Sequence, residues 1–372
     1  MRDRAAAAGA PDLDLDAIIA AGDRRVRRRR AVAGVGVAAA LVAAVVAAPA
    51  IVDRINVGEK DVQPTNPTGA FATRTPTYAI GTTIFYGDDA IDVSPHDVTA
   101  LVQTDYGFVF TAEQGDHQNV YFTDATETRK IGETTRDPGT WLAADDSGPY
   151  VEWVDTQAQP LPEFVVYDTD AGNEVARTSE GNTPVDQVSD EFDLARVHAI
   201  DGTTAYWHSS AGTVAYDLTA GTQEVIRAHT SPSYLFDVSN GVFAQSSFDD
   251  QATVVTRELG SDKPFVPGIG EPQLSPYGTY VMTMPQQSSK VFETATQRDV
   301  TPDYQGYQVV LMTHWLDDDR YAAIGTKGDN IYRDPVAQLV CSITEGTCTV
   351  ERTAIGTIDE VVFPVGGSLT DR

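Results

Sequence analysis

Two cysteines in the last part of the sequence are placed to form a disulfide. Cys341 and Cys348 bracket the residues SITEGT, in the alternation expected of a β-hairpin. Two thiols that face each other across a hairpin oxidise outside the cytoplasm, and closing so short a loop contributes about 2–3 kcal/mol. A redox or metal role would need Cys-x-x-Cys spacing or neighbouring histidines, and neither is present. The sequence predicts a structural disulfide between Cys341 and Cys348.

The histidines and acidic residues give no catalytic signature. The six histidines lack the H-x-x-x-H or H-x-H spacing of a zinc site, and no G-x-S-x-G nucleophile elbow occurs. Adjacent acids could catalyse glycoside hydrolysis, but the S-x-D-x-G-x-T-W box of sialidases is missing, and no D-x-D-x-D-G loop supports calcium binding. We therefore predict no catalytic residue, metal site or cofactor, and interpret the acidic turns as solvated caps of strands. The acidic groups in question are Asp145-Asp146, Asp249-Asp250 and Asp317-Asp318-Asp319.

The composition excludes several classes of protein. The chain has 372 residues, with 26 Lys and Arg against 54 Asp and Glu, a net charge of -28. So negative a protein repels phosphate, which argues against general nucleic-acid binding. A hydrophobic content of 41% is enough for a folded core. Two cysteines exclude a disulfide-dense fold, a zinc ribbon and an iron–sulfur protein.

The charge changes sign near the N-terminus. Residues 1–30 contain eight arginines and five acids, which leaves 18 basic and 49 acidic residues in the rest of the chain. The 22 uncharged residues from Ala31 to Val52 follow directly. As a helix they would span about 33 Å, enough for a hydrocarbon core of about 30 Å. An arginine cluster before the segment places the tail in the cytoplasm and the rest outside. The cluster is Arg24, Arg25, Arg27, Arg28, Arg29 and Arg30.

This pattern predicts a single-pass membrane protein with a signal-anchor helix over 31–52, and a cleaved export signal stays open as the alternative. The triplet Ala48-Pro49-Ala50 has the A-x-A form of a cleavage site. Arg24-Arg25 has the form of a twin-arginine pair, but Val26, Arg27 and Arg28 do not fit that signal. In each case the bulk of the chain leaves the cytoplasm. The cytoplasmic tail, 1–30, is interpreted as a juxtamembrane helix that meets anionic lipid, with a docking peptide for a cytoplasmic regulator as the alternative.

The next segment, 53–77, has the composition of a linker. It contains Pro64, Pro67 and Pro76 among threonines, with few large apolar residues. An extended chain of this kind reaches about 75 Å at about 3.1 Å per residue. We expect it to hold an extracytoplasmic domain, residues 78–372, away from the membrane.

Beyond Thr77 the sequence contains six imperfect repeats of short strands. Each has a turn and a strand, as in DGTTAYWHS (201–209), and then an apolar strand that ends in a polar turn, as in TVAYDLTAGTQEV (213–225). The turn glycines are separated by 41, 54, 39 and 37 residues. A period near 40–45 with four short strands per unit is typical of a β-propeller blade. These glycines are Gly107, Gly148, Gly202, Gly241 and Gly278.

The tryptophans and the two ends of the domain refine this prediction. Trp153 and Trp207 each lie five residues after the glycine of their repeat, while Trp141 and Trp315 precede acidic turns. We expect them to pack between blades, with a stacking platform for a sugar or peptide as the alternative. The segments 78–93 and 358–367 look like a hairpin and one more strand. They predict a seventh blade shared between both ends, with six blades as the alternative.

Two motifs carry a resemblance to known propellers. The sequence LSPYGTYVMTM and the YD-x-x-x-G turns at Tyr167-Asp168 and Tyr216-Asp217 resemble the repeats of TolB-type and WD-like propellers. The arginine-flanked anchor followed by one propeller is similar to membrane-anchored propeller proteins of high-GC actinobacteria. The Trp-Asp dipeptide of true WD repeats is absent. The resemblance implies an all-β fold of four-stranded antiparallel blades more than it implies a function.

The leading functional hypothesis is a non-enzymatic scaffold at the cell membrane. A tethered, extracytoplasmic propeller without a catalytic motif is expected to bind an envelope protein, peptide or glycan through its loops. One alternative is a hydrolase or lyase of cell-wall polysaccharide that uses channel carboxylates. Another is a transmembrane sensor that signals through the arginine-rich tail.

Overall fold

The computed structural model is an all-β domain of short antiparallel strands. It describes residues 69–115, 117–135, 142–157, 161–184, 195–228, 233–247, 252–257, 266–267, 271–283 and 288–367. Within these ranges the strands form seven antiparallel sheets, five of four strands and two of three. One 3-10 helix, Ile358–Glu360, lies near the C-terminus. The described residues include no helix with the length and apolar character that a membrane crossing needs, and the predicted anchor, 31–52, lies outside them.

Each sheet is one blade, and its strands follow one another in sequence. The first sheet contains β1 (Thr77–Ile80), β2 (Thr83–Tyr86) and β3 (Asp89–Asp92). Blade 1 contains β4 (Ala100–Thr104), β5 (Gly107–Gln114), β6 (His117–Thr123) and β7 (Thr128–Thr135). Blade 2 contains β8 (Ala143–Ala144), β9 (Tyr150–Asp155), β10 (Glu163–Asp168) and β11 (Asn173–Thr178). Blade 3 contains β12 (Arg196–Asp201), β13 (Thr204–Ser209), β14 (Gly212–Asp217) and β15 (Thr222–Ala228).

The remaining three sheets repeat this order. Blade 4 contains β16 (Ser233–Ser239), β17 (Val242–Ser247), β18 (Ala252–Thr256) and β19 (Val266–Pro267). Blade 5 contains β20 (Gln273–Leu274), β21 (Tyr280–Thr283) and β22 (Lys290–Glu293), with Asp299 bridged to Phe292 at the outer edge. Blade 6 contains β23 (Val309–Trp315), β24 (Arg320–Thr326), β25 (Ala337–Ser342) and β26 (Thr347–Arg352).

The seventh blade is built from both ends of the domain. Strands β1 to β3 form its outer part, and the C-terminal segment adds the innermost position through an antiparallel bridge between Ala79 and Val362. This arrangement ties the first strands to the last and closes the ring of blades. It confirms the prediction of seven blades with a composite closing blade. The alternative of six blades was wrong.

Aspartates cap the hairpin turns of blades 2 and 3. In the turn from β10 to β11, one oxygen of Asp168 accepts hydrogen bonds from the amides of Asp170 and Ala171, both 2.9 Å long. Gly172 completes that turn with φ of 74°, a conformation that favours glycine. Asp217 caps the turn from β14 to β15 in the same way. The YD-x-x-x-G motif is therefore a hairpin-forming motif in this protein.

The blades are held together by large side chains packed face to face. Trp153 and Trp207 are fully buried, and the ring of Trp207 stacks on Phe164 with centroids 4.7 Å apart. Trp315 is also buried. The expectation of core packing is confirmed for these three tryptophans, while Trp141 lies outside the described residues.

The structure contains the disulfide between Cys341 and Cys348. The two residues are register partners on β25 and β26, and the bond is 1.98 Å long. Both side chains are buried in the apolar cluster of blade 6. The bridge therefore joins the two outer strands of the last blade.

Candidate functional site

The first strand of each blade faces a central cavity of about 540 Å³. Its wall comes from β4, β8, β12, β16, β20 and β23, and from Pro364 and Val365 of the closing segment. These inner strands run in the same direction, since each is the first strand of an antiparallel blade in one ring. The turns that follow them consequently meet at one face of the propeller, which we call the acidic mouth.

Three inner strands carry a β-bulge where they line the cavity. The extra residues are His198 on β12, Phe236 on β16 and Thr313 on β23, each at a register shift against the second strand of its blade. All three line the cavity. A bulge re-aims side chains and often lies next to a functional site. These bulges let both polar and apolar groups of the inner strands face the cavity.

Carboxylates from several blades converge at the acidic mouth. They lie in the turns that follow the inner strands, because short acidic residues favour tight turns. Asp105 and Asp145 are buried, with 4% and 7% of their surface exposed. Asp237 comes from β16 itself and lines the cavity together with Asp145 and Asp146. The mouth residues are Asp105, Asp145, Asp146, Asp201, Asp237 and Asp318.

Some of these carboxylates accept hydrogen bonds from a neighbouring blade. Asp201 of blade 3 accepts hydrogen bonds from the amides of Asn240 (3.0 Å) and Gly241 (2.9 Å) in blade 4. Asp237 of blade 4 accepts one from the amide of Leu274 in blade 5, at 2.6 Å. Asp318 of blade 6 accepts one from the hydroxyl of Ser275 in blade 5. These three groups have a structural role at the blade interfaces.

The guanidinium of Arg74 occupies the acidic mouth. Its Nη1 donates to the carbonyls of Thr104 (2.9 Å) and Phe71 (3.2 Å), and its Nη2 donates to the carbonyl of Asp146 (2.9 Å). Nη2 also lies 3.3 Å from a carboxylate oxygen of Asp105. The side chain is 10% exposed. Burial lowers the pKa of Arg74, and the charges of Asp105 and Asp146 oppose that shift.

Burial and mutual repulsion change the protonation of the mouth carboxylates. Burial raises the pKa of Asp145 well above its usual range, and the adjacent Asp146 raises it further. Burial also raises the pKa of Asp146, to about 6, against the opposing effect of Arg74. The pKa of Asp237 is raised well above normal by burial and then by Asp146. The mouth therefore takes up protons more readily than exposed carboxylates do.

Two histidines line the cavity without forming a metal site. Nε2 of His314 is 3.0 Å from the carbonyl oxygen of Thr75, and burial lowers the pKa of His314 to about 4. Burial also lowers the pKa of His198 well below its usual range, so both rings are neutral at pH 7. Within the described ranges, no group of three or more His, Cys, Asp or Glu side chains is arranged to hold a metal ion.

Part of this site was predicted from the sequence. Asp145-Asp146 and Asp318 were interpreted as solvated caps of strands, which is wrong for the buried Asp145, and the structure brings all three to the same mouth. Asp249-Asp250 lie outside the described residues, as do the arginines predicted to orient a membrane segment. Arg74 and Asp237 were missed. Arg74 is one of three basic residues, with Arg54 and Lys60, in the proline- and threonine-rich segment 53–77, and nothing in the sequence distinguishes it from the other two.

Comparisons with known proteins find similarity only among solved structures. No protein-family profile matches the chain, and no curated protein matches its sequence. Among solved structures, the β-propeller domain of the trilobed protease from Pyrococcus furiosus is 10% identical, with a TM-score of 0.47, over 76% of this chain and 98% of that chain. TolB from Acinetobacter baumannii is 10% identical, with a TM-score of 0.41, over 77% of this chain and 66% of that chain. Hsv2 from Kluyveromyces lactis is 13% identical, with a TM-score of 0.39, over 66% of this chain and 74% of that chain.

The fold and the cavity define the class as a seven-bladed β-propeller with an acidic mouth. TolB proteins, whose repeats two motifs of this sequence resemble, are among the structures that match. These similarities are low in identity and in TM-score. The class therefore depends on the seven sheets of this chain and on the bridge that closes them.

Proposed function

We propose that this protein is a non-enzymatic binding scaffold that takes up a basic protein or peptide at the acidic mouth of its propeller. One observation carries the proposal: carboxylates from blades 1, 2, 3, 4 and 6 converge beside a cavity of about 540 Å³. Such a concentration of one charge beside a concave site attracts partners of the opposite charge. The net charge of -28 extends this attraction over a longer range.

The test compares capture by two variants that lose the same number of carboxyl groups at different places. The mouth variant combines Asp145→Asn with Asp146→Asn. The control combines Asp170→Asn with Glu345→Gln, both in exposed turns. We expect full-length protein cross-linked in intact membranes to capture a basic partner. The mouth variant should lose most of that capture, while the control keeps it. Equal capture by both variants would rule out the mouth as the binding site.

The proposal includes a membrane tether for the propeller. It is supported by the apolar segment Ala31–Val52, by the arginine cluster before it and by the excess of acids after it. A tag at each end of the chain tests the topology by protease protection in intact cells. The C-terminal tag should be cleaved and the N-terminal tag protected. The intact mass of the protein then separates an anchor from a cleaved signal at Ala48-Pro49-Ala50.

A second candidate function is hydrolysis of an envelope polysaccharide. The observation that favours it is the raised pKa of Asp146 next to that of Asp237, since two carboxyls with displaced pKa values are typical of acid–base catalysis. It predicts release of reducing ends from cell-wall glycan, abolished by Asp146→Asn and by Asp237→Asn. The absence of such release by the wild-type protein would leave the scaffold as the function.

A further inference from the structure

The pocket that holds Arg74 is built mainly by the blades and not by the segment that carries the arginine. The acceptors from blade 1 are the carbonyl of Thr104 and the carboxylate of Asp105. Blade 2 contributes the carbonyls of Asp145 and Asp146. Only the carbonyl of Phe71 comes from residues 69–76, the segment before β1, which we call the strap. Four of the five acceptors would therefore remain in place if the side chain of Arg74 moved away.

The geometry of these acceptors suits a guanidinium. The two Nη groups donate to carbonyls of different blades, 2.9 Å away in each case, while Nη2 also faces the carboxylate of Asp105. A guanidinium is planar and has donors in fixed directions, so it can donate to acceptors of both blades at once. An ammonium group has its three donors on one atom and cannot span the same acceptors. The pocket should thus select arginine over lysine.

The strap is held in place independently of the Arg74 side chain. The ring of Phe71 is buried against Tyr86 and Phe108, with centroids 5.4 and 5.2 Å apart. The amide of Phe71 donates to the carbonyl of Asp105 at 2.9 Å, and the side chain of Gln103 donates to the carbonyl of Phe71 at 2.8 Å. The guanidinium can therefore leave by side-chain rotation while the strap stays bound.

The surrounding charge favours a second cation. Burial raises the pKa of Asp105, Asp145 and Asp146, and the positive charge of Arg74 opposes that rise in all three. Asp201 and Asp318 add further carboxylates beside this one guanidinium. A peptide with a basic side chain is attracted to this surplus of negative charge before it enters the pocket.

We propose that the acidic mouth is a binding site for the guanidinium of an arginine side chain in a partner peptide, and that Arg74 is an internal occupant which that arginine replaces. This inference rests on the proposed scaffold function and names the residue by which a basic partner is recognised. After this replacement, the guanidinium of the partner would make the hydrogen bonds that Arg74 makes now, and the guanidinium of Arg74 would be exposed to water. Removing Arg74 therefore raises the affinity for a partner arginine, because nothing has to be displaced.

The experiment uses the full-length protein in detergent and the labelled peptides acetyl-Gly-Gly-Arg-Gly-Gly-amide and its lysine and citrulline counterparts. We expect Arg74→Ala to bind the arginine peptide at least tenfold more tightly than the wild-type protein does. The lysine and citrulline peptides should bind at least tenfold more weakly than the arginine peptide. Adding Asp105→Asn to Arg74→Ala should abolish the gain, while adding the exposed-turn change Asp170→Asn should not.

The outcomes separate this inference from the proposed function. A folded Arg74→Ala variant that binds the arginine and lysine peptides equally would overturn the inference, even if cross-linking in membranes still captures a basic partner at the mouth. Selective binding of the arginine peptide without capture of any partner would support the pocket and contradict the scaffold function. If Arg74→Ala fails to fold, Arg74→Gln keeps a polar side chain at the site. The affinities of this variant for the arginine, lysine and citrulline peptides then test the inference in the same way.

Discussion

Ala79 and Val362 exchange two backbone hydrogen bonds across the closing blade. The amide of Ala79 donates to the carbonyl of Val362 at 2.7 Å, and the amide of Val362 donates back to Ala79 at 2.9 Å. Among the described residues, this is the bridge by which the C-terminal segment joins the strands that begin the propeller. The same segment continues to Gly366, whose amide donates to the carbonyl of Leu101 in blade 1 at 2.9 Å. Ring closure therefore depends on a short stretch of backbone pairing.

Replacing Val362 by proline should weaken this closure. The Val362→Pro change removes the amide that donates to Ala79 and restricts the backbone, so we expect a loss of about 2–4 kcal/mol in the free energy of unfolding. Val362→Thr keeps the amide and the branched shape, and because this side chain is only half-buried the added hydroxyl should cost less than about 1 kcal/mol. Urea unfolding of both variants checks the prediction. Equal losses would mean that the side chain, and not the pairing, closes the ring.

Glu152 should make the protein less stable as the pH rises. Its side chain is fully buried on β9, and within the described residues neither carboxylate oxygen has a hydrogen-bond partner. Burial raises its pKa well above the usual range. A carboxyl whose pKa is higher in the folded state contributes stability below its unfolded pKa, near 4.3, and that stability is lost as the pH rises through the folded pKa.

The apolar replacement Glu152→Met tests this assignment. We expect similar stability to the wild type at pH 4.5 and a gain of about 1–4 kcal/mol at pH 8, since an unpaired buried charge is removed. Urea unfolding at pH 4.5, 6 and 8 measures the difference. Glu345→Met, in an exposed turn, is the control and should show no pH-dependent gain. A gain for Glu152→Met that is the same at each pH would contradict the assignment.

The outer part of the fold was predictable from the sequence, and the inner part was not. Second and third strands follow turn glycines such as Gly202 and contain long runs of β-branched and aromatic residues, which are strong signals. The inner strands β8 and β20 contain two residues each, too few to show any alternation. In β12, β16 and β23 the bulges interrupt the period of two. The strands that line the cavity thus carry weaker patterns than the second and third strands of the blades.

The candidate site was only partly predictable from the sequence, because it depends on contacts between blades. Asp145-Asp146 is visible as a pair, but its role depends on contacts with blades distant in sequence. Arg74 lies in a segment with the composition of a linker, and its burial follows from the pocket that blades 1 and 2 build around it. Local sequence patterns do not record such long-range contacts.

The disulfide should stabilise the last blade by a modest amount. Cys341 and Cys348 close a short loop between β25 and β26, so replacing both by alanine should cost about 2–3 kcal/mol from loop entropy. Adding a reductant should lower the stability of the wild type toward that of the double variant and leave the variant unchanged. Thermal unfolding with and without reductant measures both effects. Two free thiols in the mass spectrum of non-reduced protein would contradict the prediction.

Gly132 should be required for the packing of Trp153 between blades 1 and 2. A Cβ atom at Gly132 would lie 2.5 Å from Cζ2 of the indole and 2.9 Å from Cε2, closer than such atoms approach. Since Trp153 is fully buried and cannot move freely, we expect Gly132→Ala to cost about 1–3 kcal/mol through overpacking. The smaller ring in Trp153→Phe leaves space for that methyl group. The double variant should therefore lose less stability than the sum of the two single changes, by about 0.5–3 kcal/mol in a double-mutant cycle from urea unfolding. Additive losses would show that the close approach of the glycine to the indole does not limit the packing of these two blades.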